Sequence, residues 1–263
     1  CHRRDILFLG GKNTRSSGGC WCAVLTHYVG TFQAPLFGLR PSNHLVFLRS
    51  GEFYRIENNQ ITTAHIIVDL PDVMQQSGCL PLPSLGTELC FPAPATQDGL
   101  CPTSGAGGAP LARVEQMLGD LHVYDPETNT SAGQTGDGGA WADDMLWYGP
   151  AGIGSNFEWA GFVQDHRNQF LHAFPDRKGG NHYCRIGDGA YAAVSGWPSM
   201  TMTFKGDYLG QKADGRALTL RVMDFYRLSQ GRIAENWVCL DYGDLFHQMG
   251  RDLVKEANAI AKS

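Results

Sequence analysis

A stretch of 31 residues occurs twice in this chain, and that constrains its fold more than any other feature. Residues 48–78, LRSGEFYRIENNQITTAHIIVDLPDVMQQSG, lie over residues 220–250, LRVMDFYRLSQGRIAENWVCLDYGDLFHQMG, without a gap at an offset of 172. Ten of the 31 pairs are identical: Leu48/Leu220, Arg49/Arg221, Phe53/Phe225, Tyr54/Tyr226, Arg55/Arg227, Ile61/Ile233, Asp69/Asp241, Asp72/Asp244, Gln76/Gln248 and Gly78/Gly250. Unrelated segments would agree at roughly two positions, so the pattern reads as an internal duplication. A period this long implies two whole domains, not a solenoid.

Each copy has the composition of a long β-hairpin. In the second, two apolar and aromatic runs flank Ser229, Gln230 and Gly231, which predict a tight turn. Strand alternation places Val222, Asp224 and Tyr226 on one face, with Met223, Phe225 and Arg227 on the other. One carboxylate therefore stands among apolar and aromatic neighbours, and Glu52 takes the same place in the first copy. Behind the hairpin, Leu245, Phe246, Met249, Leu253, Ala257 and Ile260 fall at helical spacing, predicting a short amphipathic helix.

The 263 residues suffice for two domains, and 43% hydrophobic with 18% charged residues is ordinary globular composition. A net charge of −5 with no basic run argues against nucleic acid as a partner. No apolar stretch reaches the roughly 18 residues a membrane span requires, and no secretory signal is legible. The eight cysteines include Cys20 and Cys22 but no C-x-x-C. They sit in apolar segments, which favours buried free thiols in a cytoplasmic protein over disulfides.

Along the chain, strands are expected at 6–9 and 20–32, separated by a glycine and serine loop, and residues 38–44 form a turn before the first copy. In the second half about 70 residues precede the equivalent sheet and carry helices. By the same offset the first copy's helices would lie before Cys1, so the first domain (1–80) is expected to be a sheet without its leading helices. One face of that sheet would be exposed unless the other domain or a second chain covers it. Residues 81–110, rich in proline, glycine and small residues, read as a linker to a complete domain at 111–263. There, 111–124 has helical spacing, 131–144 reads as a mobile loop, and a glycine loop after Tyr148 opens into a helix reaching Phe174. Strands follow at 182–186, 191–197 and 200–204. Helices followed by a curved antiparallel sheet make an α+β fold.

These motifs carry a family resemblance. WYGPAGIG (147–154), AFPD (173–176), DGAYAAVSGWPSM (188–200), KGDYLG (205–210), ADGRA (213–217), MDFYR (223–227), GRIAENW (231–237) and the closing QMG resemble, in order and spacing, a SnoaL-like polyketide cyclase domain of the nuclear transport factor 2-like superfamily. The resemblance covers nearly all of the second domain and the sheet half of the first. It implies tandem cones of cystatin-like fold, in each of which a bent sheet wraps around helices and encloses a pocket. It also implies acid–base chemistry without a metal or organic cofactor on an apolar, polycyclic carbonyl compound: cyclisation, isomerisation or hydrolysis. Members of the superfamily dimerise through their sheets, so a tandem chain could form a pseudo-dimer within itself or a homodimer. The alternative, in the same fold, is a module that holds a hydrophobic ligand or assembles without turnover.

Carried onto this sequence, the proton-handling aspartate is Asp224, whose pKa burial should raise. His182, which follows Gly179 and Gly180, and Tyr226 are candidate assistants. A histidine that often follows threonine before a strand-ending glycine is absent, since this chain has Thr203-Phe204-Lys205-Gly206. The first copy has Thr26-His27-Tyr28-Val29-Gly30, so His27 and Glu52, with Tyr54, would form the better-equipped pair. Trp147, Tyr148, Trp159, Trp197, Met200, Phe204 and Trp237 are candidate walls for a flat apolar ligand, although such aromatics also serve as plain core. His172, between apolar residues, reads as packed core. Asp69 and Asp241 read as helix caps. GPAGIG lacks the strand–helix–strand setting of a dinucleotide loop, and no metal-ligand spacing is present.

Overall fold

The computed structural model describes residues 1–11, 20–101, 106–121, 123–125, 130–131, 134–136 and 138–261. The expected loop at 12–19 and parts of that at 131–144 lie outside them. Strands β1 (Arg3–Gly11), β2 (Cys20–Thr31), β3 (Leu45–Glu57) and β4 (Gln60–Val68) form a four-stranded antiparallel sheet in that order, and helix α1 (Leu70–Gln76) follows it. Helix α2 (Gly108–Asp120) opens the second half, followed by the short pair β5 (Tyr124–Asp125) and β6 (Thr130–Ser131). Strands β7 (Trp141–Tyr148) and β8 (Ser155–Phe157) then lead into a helical segment. It runs as α3 (Glu158–Phe162), one π turn (Val163–Arg167) and α4 (Asn168–Ala173). Strand β9 (Lys178–Gly179) precedes β10 (Cys184–Asp188), β11 (Tyr191–Thr203), β12 (Ala217–Ser229) and β13 (Arg232–Leu240), and helices α5 (Tyr242–Gln248) and α6 (Leu253–Ile260) end the described chain. The second sheet has the order β10-β11-β12-β13-β7-β8, with β9 beside β11.

The two copies fold alike down to their ends. β3 and β12, β4 and β13, and α1 and α5 each have bounds that differ by the same offset of 172. The repeated polar residues explain why, because in both copies they clamp a strand to the following helix. Arg49 Nε donates to Asp69 (2.8 Å) and its Nη2 to Asp72 (3.0 Å), while Arg221 reaches Asp241 (2.9 Å) and Asp244 (3.4 Å). Asp69 and Asp241 cap their helices as expected, accepting from the N–H of Asp72 and Asp244. Gln76 donates to the Phe47 carbonyl and Asp72, and Gln248 to the Thr219 carbonyl and Asp244. The positive φ of Gly78 (71°) and Gly250 (85°) ends both helices.

Several expectations are corrected. The second sheet is mixed, because β7 runs parallel to β13. That strand begins at Trp141, inside the stretch expected as a loop, since burial of Trp141, Met145 and Trp147 against the helices outweighs its glycines. The helix behind the second hairpin breaks at Gly250 into α5 and α6, and Asp252 caps the latter. Strands expected at 191–197 and 200–204 are one strand with a register irregularity between Gly196 and Met200. Residues 81–101 of the expected linker form a packed strap, and α2 already begins at Gly108. Thr87 pairs with Ser155 through two backbone hydrogen bonds, Trp237 Nε1 donates to the Pro92 carbonyl (3.0 Å), and Phe91 is buried beneath the Arg49 guanidinium. All eight cysteines are unpaired; Cys79, Cys184 and Cys239 are buried, while Cys1, Cys20 and Cys90 are exposed.

One face of the four-stranded sheet is covered by the other sheet. Phe8, Trp21, Leu25, Phe53 and Ile67 form one core with Ile186, Tyr191, Met223, Phe225 and Trp237. Phe53 and Phe225, equivalent residues of the two copies, meet each other at 5.7 Å between ring centroids. The sheets approach closely at Gly51, where a Cβ would lie 3.2 Å from Met223 Cβ and Cys239 Sγ. Across the same boundary, the Ala151 N–H donates to the Asp69 carboxylate at 3.0 Å. Among the described residues no helix is long and apolar enough to cross a membrane.

Candidate functional site

The hairpin register decides which side chains meet. Asp224 pairs with Val238 and Tyr226 with Asn236, and Asn236 pairs in turn with Trp147 of β7. Strand alternation therefore puts Asp224, Tyr226, Asn236, Val238 and Trp147 on one face of the second sheet. Helices α2 and α3–α4 cover that face, and between them and the sheet lies a cavity of about 420 Å³ lined by all five of these residues. The roof is tied down by polar contacts. Arg185 of β10 pairs with Glu115 of α2 at 3.0 Å, and Arg177 donates to the Leu121 carbonyl at 2.8 Å.

Asp224 is half-buried, opening onto the cavity. Burial away from bulk water raises its pKa from 3.8 to about 7, against the opposing pull of hydrogen bonds from Asn236 and Tyr226. Asn236 also donates to the Phe225 carbonyl at 3.1 Å, which fixes its amide in the hairpin. Burial, together with the neighbouring carboxyl, pushes the Tyr226 hydroxyl far above its ordinary pKa, so it stays protonated. A carboxyl of this kind can both accept and return a proton near neutral pH.

His182, Met200 and Trp147 also line the cavity, as expected. The other aromatics proposed from the sequence do not. Phe225 pairs with Trp237 and Trp237 with Tyr148, so Trp237 and Tyr148 face the other sheet and stack there at 5.5 Å. Trp197 falls in the irregular part of β11 and lies against His65 (4.8 Å) and the Arg221 guanidinium (4.7 Å). Phe204 is core beneath Phe174, and Trp159 packs on Trp141 and Phe162. His172 is exposed, contrary to its expected place in the core.

The first-copy candidates do not form one site. His27 and Arg49 pair across β2 and β3 and face the intersheet layer, where His27 lies between Phe47 and Phe91. Burial and the Arg49 charge push its pKa down to about 4. Glu52 points from the opposite face, so the two are separated by the sheet. Glu52 is wholly buried and accepts from Arg4 (2.5 Å), Tyr28 (2.6 Å) and Tyr54 (2.5 Å). Burial and donation to Glu52 raise both tyrosines to about 12. The register also revises the histidine comparison. Thr203 pairs with Ala217 as Thr31 pairs with Leu45, so the counterpart of Thr203-Phe204 is Thr31-Phe32.

Residues not anticipated complete the cavity. Asn236 was hidden by its paired position on β13. Arg167, Arg177 and Arg185 also line it, as does His166. The π turn carries His166, whose ring stacks on Trp147 at 4.5 Å with 15° between planes. Gly149 permits this placement of Trp147, since a Cβ there would lie 2.0 Å from the indole Cζ3. A signal for His166 was present, because Phe162, His166 and Phe170 follow at i, i+4 and i+8 on the apolar stripe.

Residues 139–249 match the family model described as SnoaL-like polyketide cyclase. Among solved structures, AclR of Streptomyces galilaeus, a candidate hydroxylase, is 17% identical, with 55% of this chain and 87% of that one covered at a TM-score of 0.44. IdmH of Streptomyces antibioticus, a candidate polyketide cyclase, is 18% identical over 54% of this chain and 99% of its own, with a TM-score of 0.41. An NTF2-like protein of Burkholderia xenovorans is 11% identical over 54% and 96%, with a TM-score of 0.40. No curated protein sequence matches the chain. The match to that family model covers residues 139–249, less than half of the chain.

Proposed function

We propose that the second half of the chain performs proton-transfer chemistry, of the cyclisation type, on an apolar carbonyl compound held in the Asp224 cavity. The observation that carries this reading is the Asp224 carboxyl, bonded by Tyr226 and Asn236, facing a cavity of about 420 Å³ whose lining combines apolar side chains with Glu115, Arg167, Arg177 and Arg185. A cavity of that size suits a small polycyclic molecule.

In its ionised form Asp224 takes a proton from the carbon beside a substrate carbonyl, leaving an enolate. The enolate carbon attacks a second carbonyl of the same molecule, so that one C–C bond forms as that C=O becomes an alkoxide. The protonated Asp224 returns its proton to that oxygen, and the ionised carboxylate is restored. A pKa near 7 serves both steps. Tyr226 and Asn236 orient the carboxyl, and the helical roof excludes water.

Turnover of a panel of polycyclic aromatic β-keto esters and lactones tests this. Asp224→Asn should lower kcat by about 10²–10⁴-fold, with the melting temperature kept within a few degrees at pH 6. Binding by both proteins without turnover by either would favour the ligand-holding module instead. We further read the two copies as a duplicated domain, with the first half (1–80) acting as the permanent sheet partner of the second in an intrachain pseudo-dimer. The Phe53–Phe225 contact and the shared Arg–Asp–Asp–Gln clamp support that reading.

A further inference from the structure

Three of the outermost strands of the two large sheets are blunted. β1 begins with Arg3, Arg4 and Asp5, and Thr87 of the strap bonds to β8 at Ser155. β10 carries Arg185 and Asp188 and has the start of α2 against Gly187. The remaining outermost strand is β4. Among the described residues it pairs only with β3, so its other side presents a row of backbone N–H and C=O groups. Its sequence, QITTAHIIV, has no acidic residue, lysine, arginine or proline, and Ile61 (63%) and Ile66 (45%) are exposed on its opposite faces. Charge and proline are the usual protection of an edge strand, and β4 has neither.

The second hairpin shows what such an edge can hold. β13 is β4 moved by 172 residues, and both hairpins have a register irregularity at the same place, Arg55/Ile56 and Arg227/Leu228. Along the outer side of β13 runs β7, parallel, with Ile233, Glu235, Asn236 and Trp237 opposite Trp141, Leu146, Trp147 and Tyr148. The counterparts on β4 are Ile61, Thr63, Ala64 and His65. Ala64 is exposed and stands opposite Tyr54, at the place where Asn236 meets Trp147 in the second half. Its methyl leaves that face open to a bulky neighbour, while Ile61 and His65 border the other face.

We propose that β4 takes up an extended segment of a partner protein as a fifth strand. The segment runs parallel to β4, as β7 does to β13, and carries bulky apolar side chains at alternate positions. Main-chain hydrogen bonds supply its affinity and the alternation its selectivity. The uncharged edge offers no counter-ion, so the paired positions of the partner are apolar. A second copy of this chain, related by a two-fold axis, would bring its β4 antiparallel instead. The inference rests on the equivalence of the two hairpins, and turnover at Asp224 stands or falls separately.

The probe is an acetylated peptide with the sequence of residues 140–149, added to the full chain labelled with ¹⁵N. It should slow hydrogen exchange at β4 amides by about 10-fold or more and leave β1 amides unchanged. A nitroxide on the peptide's N-terminus should broaden the amides of Ile61 and Thr62 more than those of Ile67 and Val68, and the reverse order would overturn the parallel arrangement. Ala64→Lys sets a charge on the exposed face and should weaken binding by about 10-fold or more, with the melting temperature unchanged. Equal binding by Ala64→Lys, or of a peptide with the same composition and a scrambled alternation, would overturn the proposal. So would the absence of binding to wild type. Sedimentation equilibrium without peptide tests the rival occupant. Wild type should be monomeric, and a dimer that Ala64→Lys dissociates would overturn the proposal by giving the edge to a second copy.

Discussion

Glu52 and Asp224 occupy the same place in two copies of one hairpin, yet their surroundings differ: one is closed off by a guanidinium and two phenols, the other opens onto a cavity. Glu52 is held by one guanidinium and two phenol hydroxyls. Asp224 lies beneath α2 and α3–α4, is bonded by an amide and a phenol hydroxyl, and faces a cavity. Its surroundings favour the protonated form. The clamp behind both hairpins is the same, so frame and chemistry are separable. The hairpin sets where a carboxylate stands, and whatever covers it sets what that carboxylate can do.

The clamp itself offers the sharpest way to break the comparison. Arg49 is only 4% exposed at its side chain, against 31% for Arg221. Arg49→Met leaves Asp69 and Asp72 as buried, uncompensated charges and should cost about 3–5 kcal/mol, read as a large fall in the denaturation midpoint. A loss below about 1 kcal/mol would show that burial does not separate the two clamps.

Protonation gives the next largest effect. The Asp224 pKa is raised on folding, so between about pH 4 and pH 7 the unfolded chain loses a proton that the native state keeps. This stabilising contribution is complete below pH 4 and is lost as pH rises through about 7. A shift of about 3 units corresponds to an order of 4 kcal/mol at most. The stability of Asp224→Asn relative to wild type should therefore rise with pH and level off above about pH 8. A difference independent of pH would contradict the assignment.

Gly51→Leu should cost about 1–3 kcal/mol by overpacking a close approach of the sheets, seen as a drop in melting temperature. An unchanged melt would mean that the sheets can part without loss. The smallest effect is expected from Arg221→Met, at about 1 kcal/mol or less, because its ion pairs are open to water.

Much of the frame was legible in the sequence because polar residues that bond to one another repeat together. Arg, two Asp and Gln at fixed separations reproduce one strand-to-helix clamp, and Asn58-Asn59 and Gln230-Gly231 turn both hairpins with positive φ. The face of Asp224 followed from alternation alone. Trp237 and Tyr148 were placed wrongly because their parity depends on pairing across strands, and β7 joins from a distant part of the chain in a parallel register. The strap at 81–101 was misread because its composition is that of a flexible segment, while its order comes from Phe91 and Pro92 docking onto Arg49 and Trp237. His166 was passed over because an apolar stripe with one polar member resembles an ordinary helix face.

The most direct test of the account is the titration of Asp224 itself. The carboxyl ¹³C resonance of aspartate-labelled protein, assigned by its disappearance in Asp224→Asn, should move with a midpoint near pH 7. A midpoint near 4 would place the carboxyl in water, and the cavity chemistry built on it would fail.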